Sequence, residues 1–133
     1  MKNIIKNTFT ALFALAALTG FSQAGTLKSG SWTKKEHSMA GTWKITEEAG
    51  TMKLIITDLK TKKAPDLKIY FSPKTVGSVT AKTATEGSFF LKQLSSHKGS
   101  QTYTLPAGFD LSKYKSVLVH CKKYTKLWGG GNL

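Results

Sequence analysis

The chain has 133 residues, a formal charge of +13 and a single cysteine, Cys121. Every basic residue is a lysine. Without arginine there is no planar guanidinium to pair bidentately with phosphate or guanine, which argues against specific nucleic-acid recognition. With one cysteine no internal disulfide can form, so stability must come from a packed core.

Lys2 and Lys6 form a basic start, Phe9 to Leu18 is apolar, and Ser22-Gln23-Ala24 places small residues at −3 and −1. This is the pattern of a secretory signal peptide over residues 1–24, cleaved after Ala24. The apolar stretch is too short to span a bilayer, and no later segment reaches transmembrane length. Residues 25–133 are then expected as one exported domain, periplasmic or extracellular, with no transmembrane segment after processing.

From there the pattern alternates with period two. Trp43 and Ile45 share one face of a first strand, and Leu54 and Ile56 share one face of a second. Glu48-Ala49-Gly50 joins them as a hairpin turn. Asp58 to Pro65 reads as a lysine-rich loop, and Leu67 to Phe71 as a strand stopped by Ser72-Pro73. Lys74 to Gly87 reads as a loop with one edge strand. Ser88 to Leu94 and Gln101 to Leu105 are strands around a turn at Ser95 to Gly99. Pro106 to Tyr114 is a connection with one helical turn, capped by Asp110 or Ser112. Lys115 to Lys122 and Tyr124 to Trp128 are the last strands, and Gly129-Gly130-Gly131 reads as a flexible tail. Short strands between turn signals predict an all-β fold, a small antiparallel sandwich or barrel.

Cys121 closes the strand Ser116 to Lys122. Val117, Val119 and Cys121 share its apolar face, while Ser116, Leu118, His120 and Lys122 share the other. Outside the cytoplasm an unpaired thiol is a reactive group, half of an intermolecular bridge or a buried hydrophobe. The apolar face points Cys121 towards the core as a packed thiol, while the strand end and the nearby Lys115, Lys122 and Lys123 allow a rim position with partial access, where lysine charge favours the thiolate. His120 faces away from Cys121, so the two do not form a nucleophile–base pair.

Other chemistries lack their residues. No histidine or methionine follows Cys121 at blue-copper spacing. No Gly-x-Ser-x-Gly elbow or HExxH helix occurs. Glu47 and Glu48 diverge on a strand and make no acid/base dyad. His37, His97 and His120 show no ligand spacing, which leaves His120 as a weak metal alternative. No cofactor is encoded by a recognisable motif.

Four segments carry a family resemblance in order. They are His37-x-x-x-Gly41, Ala64-Pro65-Asp66-Leu67-x-Ile69-Tyr70-Phe71-Ser72, Gly99-x-Gln101-x-Tyr103-x-Leu105-Pro106 and Tyr114-x-Ser116-Val117-x-Val119-His120-Cys121, followed by Tyr124 and Leu133. The chain resembles the electron-transfer DM-thirteen domain family, a module found beside DOMON domains in Skeletor-type proteins and alone in exported bacterial proteins. The resemblance implies a β-rich sandwich or barrel and a redox role at the family's single cysteine, here Cys121. Since one thiol forms no intramolecular disulfide, sustained electron transfer calls for a cofactor or a redox partner protein that the chain does not encode. One position departs: the residue before the family cysteine is typically aromatic, and here it is His120. The competing reading is a non-catalytic envelope-binding or adhesion module, whose lysine surface holds an anionic envelope polymer.

Overall fold

A computed structural model describes residues 25–133, and the expected signal peptide over residues 1–24 lies outside them. Among the described residues no helix is long and apolar enough to cross a membrane. The strands are β1 (Gly25–Ser31), β2 (Thr33–Lys34), β3 (Met39–Glu48), β4 (Thr51–Thr61), β5 (Leu67–Ser72), β6 (Phe89–Gln93), β7 (Lys98–Thr104), β8 (Ser116–Cys121) and β9 (Lys126–Asn132). They form two antiparallel sheets, ordered β1-β3-β4-β7 and β2-β9-β8-β5-β6. The sheets stack as an open sandwich rather than closing into a barrel.

The β3–β4 hairpin forms as its alternation requires. Trp43 pairs with Ile56 and Ile45 with Leu54, and all four are buried. Ala49 and Gly50 both take positive φ, 50° and 80°, the backbone of a two-residue turn that matches strand twist. β4 runs on to Thr61, so Asp58 to Thr61 belong to a strand and not to the expected loop. The polar run hides this because a bulge breaks the alternation there: Asp58 has φ 52°, opposite a register shift between Ala40 and Thr42. β1 was not expected from the pattern either. It is an edge strand exposed along nearly all its length, so its sequence carries no alternation.

Two further expectations are corrected. Residues 74–87 contain no strand; a short 3-10 helix (Val76–Ser78) and turns lie across the outer face of the five-stranded sheet. Val76, Val79 and Ala84 pack there on Tyr70, Leu118 and Leu127 as a second small core. Gly129 to Gly131 are not a tail but the buried middle of β9, paired with Val117 to Val119. Glycine is required there by close approach. A Cβ at Gly129 would sit 2.6 Å from the Met39 sulfur, one at Gly130 would sit 2.8 Å from Leu118, and one at Gly131 would overlap the Trp43 indole. The main core fills the space between the sheets with Trp43, Ile45, Leu54, Ile56, Ile69, Phe71, Val117, Val119 and Trp128 around that glycine strand.

The expected helical turn is present as a 3-10 helix, Leu111–Lys113, with Asp110 accepting from the Ser112 amide. Tyr114 stacks on Phe109 with ring centroids 5.2 Å apart.

Gly131→Ala should lower unfolding stability by about 1–3 kcal/mol through overpacking against Trp43. Gly77→Ala, where an added Cβ meets nothing within 4 Å, should change stability by less than about 0.5 kcal/mol. Urea titration of the two variants checks the contrast.

Candidate functional site

β8 is buried along its whole length and on both faces. Its inner face carries Val117, Val119 and Cys121 into the main core, and its outer face carries Leu118 into the second one. Cys121 is fully buried at 0 % exposure. Of the two positions that the strand pattern allows, the thiol takes the core one and not the rim: it ends its strand but belongs to the main core. Lys122 and Lys123 are exposed on the turn that follows, and Lys115 stands at the far end of β8.

The end of β8 is held by Asp66. The Lys122 amide donates to the Asp66 carbonyl at 3.2 Å, and the Lys123 amide donates to its carboxylate at 3.0 Å. The carboxylate also pairs with Lys68 at 3.1 Å. A sequence reading gives Asp66 to its own turn; in the fold it reaches across to the chain leaving Cys121. The Lys68 hydrogen bond, aided by its charge and by the Lys123 amide, holds the Asp66 carboxyl below its ordinary value of 3.8.

Leu67 follows Asp66 and is the register partner of Cys121. Residues directly opposite in an antiparallel pair point to the same side, so Leu67 and Cys121 are inner-face neighbours. Leu67 also lines a cavity of about 160 Å³ with Lys63, Gln93, Leu94, Ser96 and His97. One wall of that cavity is fixed by buried Tyr103. Its hydroxyl accepts from the Ser95 amide at 2.8 Å, and Gln101 beside it donates to the Ser96 carbonyl at 2.6 Å. The pairing of Leu67 with Cys121 joins residues far apart in the chain, so no local pattern announces that the strand partner of the cysteine lines a cavity.

The histidines go to separate places. His37 packs against Trp128 with ring centroids 4.1 Å apart, and His97 lines the cavity. His120 is 3 % exposed on the outer face of β8, opposite Cys121. Its Nε2 is 2.8 Å from the Ala81 carbonyl, which can only accept, so Nε2 carries the proton. Its Nδ1 is buried without a hydrogen-bond partner among the described residues. Among the described residues no three His, Cys, Asp or Glu side chains are grouped to hold a metal ion. Glu47 and Glu48 are both exposed near the end of β3.

A model of the family described as Electron transfer DM13 matches residues 31–130. The chain belongs to the electron transfer DM13 family. The match runs from the end of β1 into the glycine run of β9 and takes in both cores, the Asp66 clamp and Cys121. No curated protein and no solved structure matches the chain. A DM13 domain supports a redox role at the level of the family.

Because the Asp66 pKa is depressed in the fold, its contribution to stability is complete above about pH 3.8 and is lost as pH falls through the lower folded value. Asp66→Asn, which cannot ionise or pair with Lys68, should be less stable at neutral pH. It should also lose less stability than the parent between pH 4 and more acidic conditions, as read by urea midpoints across that range.

Proposed function

We propose that this DM13 domain is an exported electron-transfer module whose redox group is the Cys121 thiol. Membership of the family carries the reading. Within it, Cys121 is the chain's one residue able to change oxidation state reversibly by thiol–disulfide exchange. Acting alone it forms no intramolecular disulfide, so the partner must supply the second sulfur. The Cys121 thiolate attacks a partner disulfide, forms the mixed disulfide and releases the partner's other sulfur as thiolate. A thiolate of a separate thiol reductant then attacks the partner's sulfur in the mixed disulfide. Cys121 leaves as thiolate, the reductant's sulfur is oxidised into a disulfide with the partner, and the electron pair has passed from the reductant to the partner.

The burial of Cys121 sets how such a step proceeds. The sulfur reaches a partner only when the sandwich end opens, and we assign that opening to Leu67, the register partner of Cys121. The cavity lined by Leu67, Lys63 and His97 gives a partner's chain a place to enter, with positive charge at its mouth. A dry thiol is also protected from stray oxidants in an oxidising compartment.

Folded protein incubated with oxidised glutathione should gain one glutathionyl group at Cys121, detected as a mass increase. Cys121→Ser should fold, at a cost of about 1–3 kcal/mol if the buried hydroxyl finds no partner, and should gain none. Leu67→Ala should react faster than the parent. A parent protein that gains the adduct only in denaturant removes the redox assignment of Cys121.

The competing reading, an envelope-binding module, has one observation in its favour. Among the described residues only Lys68, Lys74 and Lys126 form ion pairs, which leaves most of the lysine charge uncompensated. Dispersed lysines bind polyanions weakly, through counterion release. Retention on a heparin column should therefore fade steeply with salt. Retention that persists at high salt and requires Lys60, Lys62 and Lys63 would favour the binding module.

A further inference from the structure

The segment between β5 and β6, residues 73–88, lies over the outer face of β8 and is fastened unevenly. Its first residues are tied down twice: the Ser116 hydroxyl donates to the Lys74 carbonyl at 2.6 Å, and the Val76 amide donates to the Asn132 side chain at 2.8 Å. Its last residues turn back on themselves, with the Ser88 hydroxyl donating to the Ala84 carbonyl at 2.7 Å. Between those ends, Val79 to Thr85 make their own local bonds, chiefly between Thr80 and Thr83. Among the described hydrogen bonds, one ties this middle stretch to the sheet, from His120 Nε2 to the Ala81 carbonyl. Beyond it the hold is apolar, through Val79, Ala81 and Ala84 on Tyr70, Leu118 and Leu127.

We propose that residues 79–85 are a flap that His120 closes when neutral and releases when protonated. Neutral His120 suits the closed state. Its Nε2–H has an acceptor, its Nδ1 carries only a lone pair, and the Tyr70 ring stands nearly perpendicular to the imidazole with centroids 6.1 Å apart. Protonation puts a second N–H and a positive charge into the same enclosed place. The Ala81 bond survives protonation, but among the described residues Nδ1–H has no acceptor and the charge has no directly paired carboxylate.

The groups around the ring make this worse from nearly every side. On β5, the register partner of His120 is Lys68, flanked by Tyr70. Lys122 follows on its own strand. β9 contributes apolar Leu127 as register partner and, one place on, the exposed Lys126. The flap contributes Ala81, buried Ala84 and the exposed Lys82, and Glu86, the acid just beyond its end, is drawn to Lys74 at 3.4 Å. Asp66 is the one nearby acid, and it is already engaged by Lys68 and the Lys123 amide. Burial first, then the charge of Lys122, holds the His120 pKa below its ordinary 6.5, while the Ala81 bond and Asp66 oppose that shift only in part. Water is what can stabilise the imidazolium, and water enters where the cover is least tied, over residues 79–85.

The sign follows from linkage. The open flap lets His120 titrate near 6.5, and the closed flap only at lower pH. Acid therefore favours opening, with the opening equilibrium rising about tenfold per pH unit below that value until the closed-state ring titrates as well. Above it, opening is independent of pH. Because the flap covers the face of β8 opposite Cys121, release leaves the thiol buried, so this device stands or falls separately from the redox reading.

Amide hydrogen exchange, corrected for the intrinsic pH dependence of exchange, tests this alongside NMR titration of the three histidine rings on the same protein. Protection at residues 79–85 should fall by about tenfold per pH unit below 6.5, while β3 and β4 stay protected. The midpoint should coincide with the His120 ring rather than with His37 or His97. His120→Gln, whose side-chain amide can still donate to Ala81 but does not titrate, should keep the flap closed at every pH tested. Protection that is flat between pH 7.5 and 5, a midpoint that follows another histidine, or an unchanged pH response in His120→Gln would overturn the proposal. If His120→Gln does not fold, the match of midpoints in the parent protein decides the matter.

Discussion

The structure depends on β8 being covered on both faces. A strand in a two-layer sandwich ordinarily hides one face and wets the other. Here the opposite sheet covers Val117, Val119 and Cys121, and the 73–88 segment covers Leu118 and His120. Each large apolar side chain so buried is worth about 1.5–3 kcal/mol against exposure, so this strand supplies a disproportionate share of the stability of a chain with no disulfide. The same double covering requires glycine in the neighbouring strand. Trp43 can reach the centre of the sandwich only where Gly131 presents no Cβ, and Leu118 and Val76 can close over β9 only where Gly130 presents none.

Double covering also separates two reactive side chains that are adjacent in sequence. Cys121 and His120 are neighbours in the chain, yet β alternation sends one into the main core and the other under the 73–88 segment. Neither serves the other as acid or base. The thiol has an apolar neighbour, Leu67, and behind it a strand exit clamped by Asp66; the imidazole has a carbonyl, a tyrosine ring and nearby lysines. Dispersed lysine charge, which says little about a partner, bears directly on these two places because Lys68, Lys122 and Lys123 all stand around the end of β8.

Much of this was legible in the chain, and the limits have physical causes. The β3–β4 hairpin, β5 and the inward face of β8 follow from period-two alternation with a glycine-containing turn, because side-chain burial and pattern coincide there. The edge strand β1 left no trace, since an exposed edge has no buried face to select apolar residues. The Gly129–Gly131 run reads as a tail because glycine signals freedom when nothing is near and close packing when an indole is; the sequence does not distinguish the two. The 74–87 segment reads as holding an edge strand for a related reason: its few apolar residues cover an outer face rather than joining a sheet. Cys121 was identifiable as inward-facing, but its distance from solvent was not, because the opposite sheet and the Asp66 clamp come from residues remote in sequence.

Membership of the DM13 family gives the chain a class of function, and we propose that Cys121 performs it although the thiol is dry in the closed fold. The most direct measurement is the rate of Cys121 alkylation as a function of urea, compared with global unfolding under the same conditions. If the thiol is reached by local opening at Leu67, the rate at low urea should be nearly independent of denaturant and should exceed the global unfolding limit, merging with it only near the transition. A rate that follows global unfolding at every urea concentration would contradict the claim and leave Cys121 as a core residue.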